Sequence, residues 1–230
     1  MKNSNLKILF EDNEILAFDK PAFLVVNKSE SQKDKVTLEG ILEEGREKYG
    51  LNEDVERFGI VHRLDKETSG VILVAKNYLM QKRLQKEFEK RRVRKTYLAI
   101  VNGEVRDETF SIDAPIGRNP NNTMKHAVVK EGREAQTSFK KVKEITLDGN
   151  VYTLLEARPK TGRTHQIRVH LLAYGHPVVC DPMYLGRRTY AENIKTFPRL
   201  MLHAQSIEFT HPTTKETILI KSTPPKEFKI

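Results

Sequence analysis

Short apolar runs separated by polar residues predict strands at the start of the chain. KILFEDNEILAFDKPAFLVVN, residues 7–27, is typical of two strands around an acidic turn, and Pro21 interrupts its second half. VTLEGILEEGREKYG predicts a short helix that Thr37 caps and Gly50 ends. The apolar run Val71–Ala75 predicts a further strand.

A longer helix is predicted in KNYLMQKRLQKEFEKRRVRK, residues 76–95. Met80, Leu84 and Phe88 recur there at every fourth position and should face inward. TYLAIVNG, residues 96–103, then predicts a strand that ends in Asn-Gly.

The second half of the chain continues this mixture. EAQTSFKKVKEI and NVYTLLEARP predict paired strands joined by the turn LDGN, and HAQSIEFTHPTTKETILIKS predicts a hairpin. TGRTHQIRVHLLAYGHP predicts a further helix, with Thr164 as N-cap and Gly175 at its end. Strands outnumber helices and short turns join many of them. We therefore expect an α+β fold with a mixed, largely antiparallel sheet and flanking helices.

The charge balance adds an expectation about partners. The 230 residues include 40 Lys and Arg against 31 Asp and Glu, a net charge of +9. Such a balance favours a polyanion, either nucleic acid or an anionic membrane surface, although a merely soluble basic protein has the same composition.

Cysteine content and hydropathy indicate a cytoplasmic protein. Cys180 is the single cysteine, so no disulfide can form within the chain. No apolar stretch approaches the roughly 20 residues of a membrane span. Acidic residues at positions 11, 12 and 14 argue against a secretory signal.

The stretch VHRLDKETSG, residues 61–70, is the first candidate for chemistry. It places Asp65 between Arg63 and Lys66, just before a strand. A catalytic aspartate needs a cation nearby, because burial alone favours the neutral carboxyl. A surface ion pair between Arg63 and Asp65 in a turn is the alternative, and the residues alone leave both open.

A second candidate is KTGRTHQIRVH, where Arg163, His165 and Arg168 gather near the start of the predicted helix. Helix-terminal N–H groups and these side chains would attract an anion. A solvated basic helix start is the alternative.

The helix over residues 76–95 and the segment after it form a third, basic candidate. Either this is a solvated face or its cations contact phosphates. Tyr97 follows directly, and a tyrosine there belongs either to the core or to a surface that stacks on a base. The residues expected to contact phosphate are Lys82, Lys86, Arg91, Arg92 and Arg94.

Signals for a metal or a nucleotide cofactor are weak. The sequence has no His-x-x-x-His pair, no cysteine cluster, no GxGxxG segment and no Walker-type loop. We expect neither a metal nor a cofactor.

Four of these stretches, in this order, resemble the motifs of RNA pseudouridine synthases. The resemblance is to the branch with the His-Arg-Leu-Asp signature, which acts on ribosomal and transfer RNA. HRLDKETSGVILVAKN resembles its catalytic motif, KTYLAIVNG its tyrosine motif, RPKTGRTHQIRVHLLAYGHPVVCDPMY its arginine motif and LMLHAQSIEFTHP its closing strand. The resemblance begins at about Ile8 and implies a sheet-based catalytic domain with an active-site cleft across its centre.

The resemblance also implies roles for individual residues. Asp65 would be the catalytic aspartate, Tyr97 would stack on the target uracil, and Arg168 would pair with the Asp65 carboxylate. The carboxylate could attack C1′ or act on the base or the sugar, and both routes remain open. The uridine must be flipped out of its stack, and basic surfaces that include Arg163 and His165 would hold the flanking phosphates. Arg63 would fill the vacated space or contact a phosphate.

We therefore expect one catalytic domain over residues 1–230. It should act in the cytoplasm as a monomer on ribosomal RNA, transfer RNA or both, and it should not bind a membrane. Too few residues precede Ile8 for the ribosomal-protein-like RNA-binding domain of many relatives. A non-catalytic RNA-binding or RNA-folding protein on the same fold is the alternative. The sequence departs from the family pattern at Phe23, where glycine is usual, at Cys180, where glycine is frequent, and at Leu185, an added residue.

Overall fold

The computed structural model describes residues 6–28 and 36–229. The strands are β1 (Lys7–Glu11), β2 (Ile15–Lys20), β3 (Ser69–Ala75), β4 (Arg94–Asn102), β5 (Thr109–Asp113), β6 (Ile116–Asn119), β7 (Asn122–Val128), β8 (Gln136–Leu147), β9 (Asn150–Pro159), β10 (Leu202–Thr210) and β11 (Thr217–Lys221). The α-helices are α1 (Leu38–Glu44), α2 (Tyr78–Glu89), α3 (Gln166–Ala173) and α4 (Arg187–Thr196). The strands pair mostly antiparallel, which confirms the predicted α+β fold.

Two compact units make up the chain. The first comprises Met1–Val93 and Ala204–Thr223, and the second comprises Arg94–His203 and Pro224–Ile230. The expectation of one catalytic domain stays a prediction. No helix in the described part of the chain has both the length and the apolar character that crossing a membrane requires.

In the first unit the strands follow the order β1-β2-β3-β10, and β11 pairs with β10 as the predicted tail hairpin. β1 and β2 are joined by the predicted acidic turn, in which Asp12 Oδ1 accepts from the N–H groups of Glu14 (2.8 Å) and Ile15 (2.7 Å). β2 ends at Lys20, because Pro21 has no N–H for the ladder. Both predicted strands are confirmed.

The first helix begins as predicted but ends early. Thr37 Oγ1 accepts from the backbone N–H three residues on, at 3.0 Å, and caps α1. α1 stops at Glu44, not at Gly50, and turns follow. Gly45 is the C-cap, and a Cβ there would lie 2.7 Å from the Tyr49 ring, which packs against the bare backbone.

The predicted inward face of α2 is confirmed. Met80 and Leu84 are fully buried and Phe88 is partly buried against the same apolar cluster. Asn77 caps the helix through a 2.8 Å bond from the Met80 N–H. The helix ends at Glu89, before the basic residues that follow.

In the second unit the strands follow the order β4-β9-β8-β5, and all these pairs are antiparallel. The predicted β8–β9 hairpin is confirmed. Leu147 pairs with Asn150, and the two turn residues, Asp148 and Gly149, have φ of 51° and 76°. Positive φ at both positions is the signature of a type I′ turn. β6 and β7 form a separate two-stranded ribbon that the sequence did not predict.

The start of α3 corrects the sequence analysis. Thr164 is not the N-cap, because the helix is preceded by His165 with φ of 56° and no side-chain cap. The first helical residue instead binds the segment before the helix, since Gln166 Oε1 accepts from the Arg163 N–H at 2.9 Å. The predicted end is confirmed by Gly175, whose φ is 87°.

Candidate active site

The loop that carries Asp65 spans residues 61–68 of the first unit and leads directly into β3. Leu64 is buried, and the Thr68 N–H donates to the Asp65 carbonyl at 3.2 Å, which closes a turn. The Asp65 side chain is half-buried and that of Lys66 is exposed. The aspartate is therefore presented by a short, folded loop with a buried apolar anchor.

His62 ties the same loop to the sheet. Its Nε2 accepts from the Leu73 N–H at 2.9 Å, and its ring stacks on Phe88 with 4.8 Å between centroids. A ring nitrogen that accepts a hydrogen bond carries no proton, so this contact needs the neutral imidazole. The histidine of the motif thus holds the loop against the backbone of β3.

Lys20 is a further anchor, and the sequence analysis missed it. Its side chain is fully buried. Its ammonium donates to the carbonyls of Pro21 (3.0 Å), Leu24 (2.9 Å) and Lys66 (3.2 Å). A buried ammonium requires such acceptors, because removing it from water is costly. One cation therefore joins the turn after β2 to the loop next to Asp65.

The glycine that closes the motif is required by a close approach. Gly70 has φ of 115°, and a Cβ there would lie 2.1 Å from the Ala204 carbonyl oxygen of β10. No other residue fits this position without moving the backbone.

Tyr97 lies on β4 of the second unit, opposite Ala157 of β9. Its half-buried ring packs at the edge of an apolar cluster, so part of it belongs to the core, and stacking on a base stays a prediction. Two residues earlier on the same strand, the Lys95 ammonium donates to the Thr161 carbonyl at 3.1 Å. Burial lowers the pKa of Lys95 to about 8.

Arg168 is buried within α3, where it pairs with Asp181. Its Nε donates to Asp181 Oδ2 at 2.7 Å and its Nη2 donates to Oδ1 at 2.8 Å, and both side chains are 1% exposed. Asp181 Oδ1 also accepts from the N–H groups of Met183 and Tyr184. This bidentate pair fixes the guanidinium plane.

Sequence reasoning missed Asp181, although a signal was present. Arg168 lies in the apolar helical stretch QIRVHLL, and a buried arginine requires an acidic partner. Asp181 lies in the quoted segment VVCDPMY, thirteen residues on. The sequence alone does not identify which Asp or Glu is the partner of Arg168.

The other two residues of the predicted cluster hold backbone and side-chain partners. Arg163 is half-buried and its Nε donates to the Glu134 carbonyl at 2.9 Å. His165 Nδ1 lies 2.9 Å from the Tyr184 hydroxyl. These contacts order the segment that leads into α3.

The predicted phosphate contacts differ in how they are placed. Lys82 pairs with Glu56 at 2.9 Å, and Arg92 pairs with Glu87 through both Nε and Nη2. These two cations are already engaged on the surface. The exposed cations among the predicted contacts are Arg63, Lys86, Arg91, Arg92 and Arg94.

Of the three predicted catalytic residues, the first unit holds Asp65 and the second holds Tyr97 and Arg168. Within the described residues, no group of three or more His, Cys, Asp or Glu side chains is suited to a metal ion. The three side chains are, taken singly, a carboxylate, an aromatic ring and a guanidinium that Asp181 fixes.

Residues 14–173 match the RNA pseudouridylate synthase family. The chain belongs to that family. All three predicted catalytic residues lie within the matched range.

Individual relatives agree with this assignment. A ribosomal large subunit pseudouridine synthase D from Nitrosomonas europaea is 40% identical over 226 residues, covering 96% of this chain and 63% of that protein. An uncharacterized RNA pseudouridine synthase from Aquifex aeolicus is 36% identical over 237 residues, covering 99% of this chain and 72% of that protein. The chain thus spans less than two thirds of the Nitrosomonas europaea relative.

A solved structure resembles the fold as well. Human RNA pseudouridylate synthase domain containing 1 superposes with a TM-score of 0.77 at 26% identity, covering 98% of this chain and 87% of that one. The predicted fold class and family are confirmed.

Proposed function

We propose that the protein isomerises specific uridines in structured RNA to pseudouridine. The observation that carries the proposal is the half-buried Asp65, presented by an anchored loop inside the range that matches the family. Ribosomal RNA, transfer RNA or both are the proposed substrates. Large-subunit ribosomal RNA is tested first, because the Nitrosomonas europaea relative is named for it. A monomer in the cytoplasm is the proposed working form.

The reaction breaks the bond between N1 of uracil and C1′ and forms a bond between C5 and C1′. The proton on C5 is lost and N1 gains one, so atoms balance without oxidant, reductant or water. Asp65 either attacks C1′, as in retaining glycosidases, or assists by acting on the base or sugar. In both routes an ionised carboxylate is needed.

Arg168 is proposed to pair with the Asp65 carboxylate. A guanidinium has five N–H donors, and Asp181 takes two of them in a fixed plane. A guanidinium held in this way is preorganised for a second carboxylate and favours its ionised form. Asp181 would then position Arg168 and not touch the substrate.

Tyr97 is proposed to stack on the target uracil. A half-buried ring that packs against a core on one side is rigid, and a rigid ring is suited to stacking on a flipped base. The proposed phosphate contacts are Arg63, Arg163, His165, Lys82, Lys86, Arg91, Arg92 and Arg94.

Tritium release from RNA labelled at C5 of uridine tests the proposal. Wild-type protein should release tritium from large-subunit ribosomal or transfer RNA of cells that lack this protein. Asp65→Asn should abolish release while RNA binding persists. Asp54→Asn, at an exposed aspartate of the same unit, is the matched control and should retain activity.

The proposal fails if wild-type protein releases no tritium from any class of cellular RNA, or if Asp65→Asn releases it at the wild-type rate. RNA binding without release would favour the alternative of a non-catalytic RNA-binding or RNA-folding protein.

A further inference from the structure

Phe23 occupies an unusual backbone position in the first unit. It lies in the turn after β2, with φ of 70°, and 57% of its side chain is exposed. A β-turn that needs φ in this range favours glycine or asparagine, because a side chain then crowds the backbone. An aromatic residue is strained here, and an exposed ring recovers little of that cost by burial.

This turn is tied to the loop that carries Asp65. The Lys20 ammonium donates to the carbonyls of Pro21 and Leu24, on either side of Phe23, and to the carbonyl of Lys66. Carbonyl oxygens that share one donor lie within two hydrogen-bond lengths of each other, about 6 Å. Phe23 is therefore held beside the residue that follows Asp65.

The surroundings of Phe23 suit a nucleobase better than a protein partner. Its ring, with exposed Pro21, is a small apolar feature, whereas a stable protein interface buries roughly 800 Å² on each partner. Stacking on a base needs only one ring face. The exposed side chains of Arg63 and Lys66, on the Asp65 loop, supply cations for the flanking phosphates.

We propose that Phe23 stacks on an RNA base next to the target uridine and so contributes to substrate binding. This inference rests on the proposed function. The strained turn presents the ring outward, and the Lys20 ammonium fixes its distance from the Asp65 loop. Phe23 positions the RNA and does not act on the reacting atoms.

Substitution by glycine separates this role from a structural one. Phe23→Gly relieves the backbone strain, so its melting temperature should equal or exceed that of the wild type. Its KM for the RNA should nevertheless rise roughly tenfold or more, with a smaller effect on kcat. Phe23→Tyr should retain a KM close to the wild-type value. Asparagine also tolerates positive φ, so Phe23→Asn replaces the glycine variant in this test if that variant fails to fold.

A fluorescent reporter makes the same test without turnover. The chain contains no tryptophan, so Phe23→Trp introduces a single indole. Its emission should be quenched when deproteinised large-subunit ribosomal RNA is added. The matched control is Leu219→Trp on β11, at a position that is 50% exposed, and its emission should change little.

The two proposals can fail separately. If wild-type protein releases tritium but Phe23→Gly, or Phe23→Asn in its place, has an unchanged KM, the stacking role is wrong and the proposed function stands. If Phe23→Trp is quenched no more than Leu219→Trp, the stacking role is also wrong. Absence of release by the wild type overturns the proposed function instead.

Discussion

The segments that carry Asp65 and Arg168 are held in place by different kinds of contact. The Asp65 loop is tied through main-chain groups, since Lys20 binds a loop carbonyl and His62 binds an N–H of β3. Arg168 is held through its own side chain, by a buried bidentate pair with Asp181. The Asp65 loop is thus fixed by hydrogen bonds to main-chain groups, and Arg168 is fixed by an ion pair of its side chain.

The difference predicts how each segment responds to substitution. A main-chain anchor fixes the path of a loop and so positions the carboxylate that the loop carries. A buried ion pair fixes one side chain tightly, but each partner becomes indispensable, because the remaining charge would be left uncompensated in the core. Breaking the ion pair should therefore cost more stability, and breaking the loop anchor should cost more activity than stability.

The largest effect is expected for Asp181→Asn. The substitution keeps the shape of the side chain and removes the buried carboxylate charge that holds Arg168 through two hydrogen bonds. The free energy of unfolding should fall by about 3–5 kcal/mol. Denaturant unfolding followed by circular dichroism measures this loss.

The control for the ion pair is an exposed pair on α4. Arg188 Nε lies 3.2 Å from Glu192 Oε1, and these side chains are 93% and 54% exposed. Glu192→Gln should therefore cost less than about 0.5 kcal/mol. Equal losses for Asp181→Asn and Glu192→Gln would refute the claim that burial makes the Arg168 pair indispensable.

A smaller loss of stability is expected for Lys20→Met. The aliphatic part of the side chain is kept, while three carbonyls lose a donor. The free energy of unfolding should fall by about 1–3 kcal/mol. Tritium release should slow roughly 10- to 100-fold at a temperature where the variant is folded, because Asp65 is no longer positioned.

Lys76→Met is the matched control for the loop anchor. Lys76 pairs with Glu11 at 2.8 Å near the surface of the same unit, and the glutamate is 47% exposed. Its loss should leave tritium release nearly unchanged. A Lys20→Met variant that is destabilised but fully active when folded would show that the anchor is structural and has no part in positioning Asp65.

Local patterns in the sequence predicted much of this fold. Asp148-Gly149 predicted the β8–β9 hairpin because a type I′ turn depends on two adjacent residues. Met80, Leu84 and Phe88 recur at every fourth position and predicted α2, because helix periodicity is also visible within a short stretch of sequence. The aspartate motif was recognisable because its residues are contiguous.

Elements without a local pattern were missed. β7 is largely exposed and α4 buries a single residue, Asn193, so neither shows the periodicity of an element that packs on a core. Lys20 and Asp181 were missed because their partners, Lys66 and Arg168, lie 46 and 13 residues away. Such contacts depend on how the chain folds, which local spacing does not specify.

The last effect depends on pH and concerns Lys95, a main-chain anchor in the second unit. Its ammonium donates to the Thr161 carbonyl, and burial lowers its pKa from 10.5 to about 8. Between these two values the unfolded chain binds more protons than the folded one, so this residue adds stability as pH rises. Below pH 8 both states are protonated and the cost of burying the charge is fully present.

Lys95→Met removes this pH dependence, so the wild type should gain stability relative to the variant between pH 7 and pH 10. We expect the difference between their melting temperatures to change by roughly 5–10 °C over this range. Lys140→Met, at an exposed lysine of β8, is the control and should show no such trend. A difference that stays constant or shrinks with pH would mean that Lys95 is not held as a buried cation.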